Sequence, residues 1–121
     1  MQFLLMIYDQ EADFEKMSQQ EQVAIYQEYR TLVDELKEKK MYIGGNPLKP
    51  TNTGKTVRVR HGKKGVTDGP FAETKEQLGG YFLVEVKDVD EAVEIAARIP
   101  TARNGSIEVR PILPIGQAQT A

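Results

Sequence analysis

Residues 66–86 read VTDGPFAETKEQLGGYFLVEV, and the closing run Tyr81–Val86 decides the fold. Phe82, Val84 and Val86 alternate with Tyr81, Leu83 and Glu85, so this strand is apolar on nearly both faces. Asp68-Gly69-Pro70 stops a strand ahead of it, and Gly79-Gly80 lets the chain re-enter a sheet. Residues 71–78 read as an irregular or briefly helical excursion that keeps Asp68, Glu73, Lys75 and Glu76 beside the core.

Upstream, Thr56–Arg60 alternates Val57 and Val59 against Arg58 and Arg60, and Val66-Thr67 begins the returning strand of a hairpin. His61 to Gly65 is read as its turn. Met41–Ile43 starts an earlier strand, stopped by Gly44-Gly45 and by the prolines at 47 and 50. Before it, Ser18 with Glu21 resembles a capping box that opens a helix reaching Lys40. Ile25, Tyr29, Leu32, Val33 and Leu36 form its apolar stripe, and Lys37, Lys39 and Lys40 complement the dipole of its last turn. Phe3–Tyr8 is a strand with two apolar faces, and Asp9–Met17 is a break. Downstream, Asp88 with Glu91 caps a second helix whose stripe is Val89, Ala92, Val93, Ala96 and Ile99. Pro100 ends it, and Ser106–Arg110 alternates as a last strand.

The order strand, helix, strand, hairpin, strand, helix, strand predicts an α+β fold, a ferredoxin-like plait with a β-hairpin insertion. Its antiparallel sheet carries two helices on one face. Residues 1–115 are expected to form a single domain, with 116–121 a loose tail. Two helices cover one face only, yet the strands at Phe3–Tyr8 and Tyr81–Val86 are apolar on both. A sheet-to-sheet homodimer of the dimeric α+β barrel type is therefore expected.

Composition bounds the function. The chain has 121 residues, 28% of them charged, with a formal net charge of −2, which argues against direct nucleic-acid binding. Cysteine is absent, so thiolate chemistry and disulfides are excluded and a cytoplasmic setting is the simplest expectation. A single histidine leaves little for zinc-like metals, and no cofactor or metal is expected. The apolar run near the N-terminus is too short for a signal peptide or a membrane span.

Several residues carry candidate chemistry. Thr51–Thr56, TNTGKT, ends like a phosphate-binding loop, but Lys49 occupies the position of the required earlier glycine and a β-alternation follows, so a polar turn is the better reading. His61 is the only imidazole, placed at an exposed hairpin tip. Asp68 ends a strand: it either caps the turn that follows or presents a carboxylate as base or anchor at the sheet edge. Arg58 and Arg60 share a strand face and either clamp an anion or neutralise Glu73 and Glu76. Tyr29 and Tyr81 each need a hydroxyl partner if buried, and Asp68 is a candidate for either.

TDGPFAETKEQLGGYFLVEV at residues 67–86 resembles the signature of the DGPF group within the YCII-related family. The similarity extends to FLLMIY at 3–8, VRVR at 57–60 and AARIPTARNGSIEVRPI at 96–112. The resemblance implies a ferredoxin-like dimeric fold in bacterial proteins, often encoded beside extracytoplasmic-function sigma factors. It implies for the wider family a His–Asp pair in a pocket, and in one branch a dehydrochlorinase acting on a chlorinated hydroquinone. Asp68 matches the aspartate of the signature. The helix Ser18–Lys40 has no histidine, and Tyr29 stands in the comparable place.

Three functions follow as expectations. One is a homodimeric small-molecule binding or sensing domain, with a sigma factor as partner. Another is a lyase or isomerase acting on a polar organic substrate, with Asp68 as base, Tyr29 or Tyr81 as proton donor and Arg58 and Arg60 as anion clamp. In both, the polar groups of the excursion, Glu73 and Lys75 among them, line the pocket. The third is a structural role in completing the dimer.

Overall fold

A computed structural model describes residues 1–115; the expected tail at 116–121 lies outside the described residues. Strand β1 (Gln2–Asp9) is followed by a short helix α1 (Glu11–Glu15), the long helix α2 (Gln19–Glu38) and β2 (Tyr42–Pro47). The hairpin β3 (Lys55–Arg60) and β4 (Lys63–Asp68) comes next, then β5 (Gln77–Glu85), α3 (Val89–Arg98) and β6 (Ser106–Pro111). The main sheet is antiparallel in the order β2-β5-β1-β6, the strand order of a ferredoxin-like plait, and β3-β4 form a separate two-stranded sheet.

The core lies between this sheet and the two long helices. Phe3, Leu5 and Ile7 of β1 and Phe82 and Val84 of β5 meet Leu32 and Leu36 of α2 and Ala92, Ile95, Ala96 and Ile99 around α3. The 2.0-residue period of the strands and the 3.6-residue period of the helices bring these positions to one layer. Ser18 starts α2 as a capping box: its hydroxyl accepts from the Glu21 backbone N–H at 3.1 Å, and the Glu21 carboxylate accepts from the Ser18 N–H at 3.1 Å. Asp88 caps α3, accepting from the Glu91 N–H at 2.9 Å.

Four local readings change. The glycine pair does not stop β2. Gly44 and Gly45 pair with Leu83 and Phe82, and at Gly45 a side chain would crowd the Tyr42 hydroxyl and the Tyr81 carbonyl, each 2.6 Å from a built Cβ. Pro47 is tolerated because β2 is an edge strand. The hairpin turn is His61-Gly62 alone, both at positive φ (54° and 74°), as in a two-residue type I′ turn, so Lys63 and Lys64 belong to β4. The break at Asp9–Met17 contains α1, held by an edge-to-face contact of Phe14 with Tyr26 at 5.7 Å. On α3 the buried stripe runs through Ile95, whereas Val89 and Val93 are exposed.

Candidate functional site

The alternation of β1 sends Phe3, Leu5 and Ile7 into the core and continues to Asp9, an acid at the end of the buried face. A bulge sits here: β5 slips register between Ile7 and Tyr8, leaving Gly79 unpaired. Pro100 to Arg103 form a 3-10 turn after α3 that brings Thr101 to the same corner. Gly105 makes the approach possible. A Cβ there would stand 2.1 Å from the Tyr8 carbonyl oxygen and 3.0 Å from the Asp9 Cβ. From α2, Tyr29 reaches in: its hydroxyl and the Thr101 hydroxyl are hydrogen-bonded at 2.6 Å, and its ring meets Phe82 edge-on at 6.1 Å.

Together these elements line a groove of about 1170 Å³ between α2, the end of β1 and the edge strand β2. Its walls are largely aromatic and aliphatic, with Phe14, Tyr26, Tyr42 and Phe82 among them. Polar groups line both ends of it. Glu11, at the start of α1, accepts from the Thr51 N–H at 2.7 Å and the Thr51 hydroxyl at 3.1 Å, which ties the segment after β2 to the groove. Arg103 meets the Glu28 carboxylate at 2.6 Å, and the Lys37 ammonium lies 5.7 Å from the centroid of the Tyr42 ring.

Burial pushes the Asp9 carboxyl above its ordinary value, and the neighbouring charges of Glu11, Asp13 and Glu76 push it the same way. Burial also raises the Tyr29 phenol, partly offset by its bond to Thr101, with the Asp9 charge adding to the rise. The corner thus pairs a carboxylate that takes up a proton readily with a phenol that keeps its own. Among the described residues, no three His, Cys, Asp or Glu side chains are placed to hold a metal ion. No helix among them is long and apolar enough to cross a membrane.

The seven sequence candidates do not converge. Tyr29 lines the groove. Tyr81 borders it too, but its register opposite Met6 and Asn46 sets its side chain on the uncovered face of the sheet, where its hydroxyl accepts from the Asn46 amide at 2.9 Å. Asp68 is exposed at the end of β4 and meets the Lys55 ammonium at 2.5 Å. Arg58 and Arg60 are exposed on β3, and Glu73 and Lys75 are exposed in the segment before β5. None of these five lines the groove. Of the charged excursion, Asp68, Glu73 and Lys75 are surface, whereas Glu76 is half-buried and close enough to Asp9 to raise its carboxyl. Asp9 and Thr101 were missed. Asp9 carried a signal, since the Phe3-Leu5-Ile7 alternation extended by one step lands on an acid where an apolar residue belongs. Thr101 carried none.

Fold and groove define a small ferredoxin-like α+β domain with a ligand-sized cleft between its helical layer and one end of its sheet. The chain belongs to the YCII-related domain family, whose model matches residues 1–116. An uncharacterised protein of Rhizobium meliloti (strain 1021) is 46% identical over 67 residues, 54% of this chain and 54% of that protein, so the chain spans about half the length of this curated relative. Among solved structures, 5-chloro-2-hydroxyhydroquinone dehydrochlorinase from Burkholderia phenoliruptrix AC1100, in complex with 2,5-dihydroxybenzoquinone, superposes with a TM-score of 0.53. That match has 17% identity and covers 93% of this chain and 94% of the other. At that identity the likeness is one of fold.

Proposed function

We propose that this protein binds a small, hydroxyl-bearing ring compound in the groove, with Asp9 and Tyr29 as its polar contacts. The observation that carries the reading is the Asp9 corner: a partly buried carboxylate beside a hydrogen-bonded phenol, at the end of a cleft walled by aromatic side chains. A ligand hydroxyl donates to the carboxylate while aromatic edges pack on its ring. The dehydrochlorinase of like fold, solved with a dihydroxylated ring compound, supports the choice of ligand class. If the domain is an enzyme, the same groups serve a lyase or isomerase: Asp9 accepts a proton while the Tyr29 hydroxyl, which keeps its own, holds a substrate oxygen by a hydrogen bond. Asp9 then takes the role expected of Asp68.

The working unit in this reading is a homodimer. Leu4, Met6, Tyr8, Leu83 and Tyr81 share the sheet face that the helices leave open, and each is only half-buried. A second copy covers that face.

The test is calorimetric titration with catechol and hydroquinone, repeated on Asp9→Asn and Tyr29→Phe. Binding to the wild type that weakens about tenfold in either variant, the worth of one hydrogen bond to a charged or buried group, supports the assignment. Equal binding by all three proteins places the ligand elsewhere, and heat from none of them removes this ligand class.

A further inference from the structure

The groove extends well beyond its Asp9 corner. Tyr42 pairs with Val84, which also pairs with Phe3, so Tyr42 stands level with the start of β1. Asp9 lies six residues further along that strand, about 20 Å away at about 3.3 Å per residue. On the facing wall Lys37 follows Tyr29 by eight residues, about 12 Å along the helix axis at about 1.5 Å per residue. The groove volume of about 1170 Å³ exceeds the roughly 300–1,000 Å³ of ordinary small-molecule sites. A single ring bearing only hydroxyls occupies the Asp9 corner and leaves most of this length to water.

The groove also changes charge along its length. Asp9, Glu11 and Glu15, from β1 and α1, make one end acidic. The α2 wall presents Arg30 and Lys37, whose spacing of seven residues puts them on one side of the helix, with Asp34 between them. Two cations against one acid leave this wall positive. Arg103, a further base of the groove, is held by Glu28, and the Glu11 carboxylate by Thr51. Arg30 and Lys37, by contrast, make no ion pair among the described residues, and the Lys37 ammonium stands 5.7 Å from the centroid of the Tyr42 ring. The stretch between the ends is apolar. Phe82 meets Tyr29 edge-on on one side and Tyr42 edge-on on the other, and Val33 lines the same stretch from α2.

We infer that the ligand of this groove is a hydroxylated aromatic acid, with its carboxylate on a short side chain that reaches Arg30 and Lys37. This rests on the reading of the Asp9 corner above and adds the opposite end. The ring hydroxyl donates to Asp9, the ring and its side chain lie along Phe82 and Val33, and the carboxylate accepts from the two cations. An arginine fork suits a carboxylate, which takes two parallel hydrogen bonds from it. A neutral ring compound leaves both cations in water, and an amine in place of the acid meets like charge there.

Calorimetric titration with para-hydroxycinnamate, its carboxamide and cinnamate tests it. At neutral pH the acid is ionised and its phenol is not, so the probes differ from para-hydroxycinnamate by one charge or one hydroxyl. Wild type is expected to bind para-hydroxycinnamate at least about tenfold tighter than either of the others, the worth of one charge-assisted hydrogen bond. In Arg30→Gln with Lys37→Gln the acid-over-amide ratio falls to near unity. Both residues are exposed, and a ratio taken within one protein is unaffected by any loss of folded material. In Asp9→Asn the preference over cinnamate falls instead, while the acid-over-amide ratio stays. Equal binding of acid and amide by the wild type, with both weakened by Asp9→Asn, overturns the carboxylate end and leaves the Asp9 reading standing. So does an acid preference that persists without Arg30 and Lys37. Equal binding of para-hydroxycinnamate and cinnamate, unchanged in Asp9→Asn, overturns the Asp9 reading and this inference with it. No heat from para-hydroxycinnamate where hydroquinone binds overturns this inference alone.

Discussion

Asp9 occupies a position that β1 prepares for an apolar side chain, and it is unfavourable there as a charge. Its carboxyl is raised from 3.8 by burial first and by Glu11, Asp13 and Glu76 after that, so the folded protein binds this proton more tightly than the unfolded chain does. The cost is therefore absent below about pH 3.8 and grows as pH rises through the folded value. Asp9→Asn should melt higher than wild type at neutral pH, with the advantage shrinking as the two are compared at progressively lower pH. A lower melting temperature at pH 7 would mean that the carboxylate is stabilised by something other than these neighbours. Gain of stability with loss of ligand affinity is the pattern of a functional residue. Tyr29→Phe should lose about 1 kcal/mol in a denaturant titration, because the half-buried Thr101 hydroxyl loses its partner at 2.6 Å. Sequence alone reached Tyr29 through the helical stripe. It did not reach Asp9, because the strand was ended at Tyr8, one residue before the alternation put an acid on the buried face.

At the level of elements, those specified by short-range chemistry were the legible ones. Ser18-to-Glu21 and Asp88-to-Glu91 announce their helices three residues ahead, and both caps form. Ser18→Ala should cost about 1 kcal/mol by the same titration, with the loss of helical signal confined to the first turn of α2. Elements specified by partners distant in the chain were less legible. Nothing near Gly44-Gly45 says that β5 will accept it as a strand, since the crowding that requires Gly45 comes from Tyr42, Tyr81 and Phe82 together. On α3, two overlapping stripes were available, and only packing against β1 and β6 selects Ile95 over Val89 and Val93. The hairpin turn is a third case. His61 takes a left-handed conformation that Asn adopts more readily, so His61→Asn should stabilise the hairpin by a few tenths of a kcal/mol, read as slower amide exchange across β3 and β4.

For the whole molecule, the plait and its single-sided helical layer were readable because the order strand, helix, strand, hairpin, strand, helix, strand makes two right-handed β-α-β units that share one sheet. The groove was not, since it arises where β1, α2 and the turn after α3 meet. Its Asp9 end depends on Gly105, where a methyl group would fall 2.1 Å from the Tyr8 carbonyl oxygen. Gly105→Ala should cost about 1–3 kcal/mol and open the Tyr29–Thr101 contact, seen as a lower melting temperature together with weaker ligand binding. Strand order carries a further consequence, for synthesis. Within this domain the central strand β1 is made before its two neighbours, β5 and β6, which are its last two strands, and Phe3 pairs with Val84 and Pro111. A chain that stops before β5 leaves both edges of β1 unpaired and its open face bare, with only α2 available to cover the other face. Holdase chaperones should therefore bind nascent chains of this protein through residues 3–8 and let go only after β6 has cleared the exit tunnel.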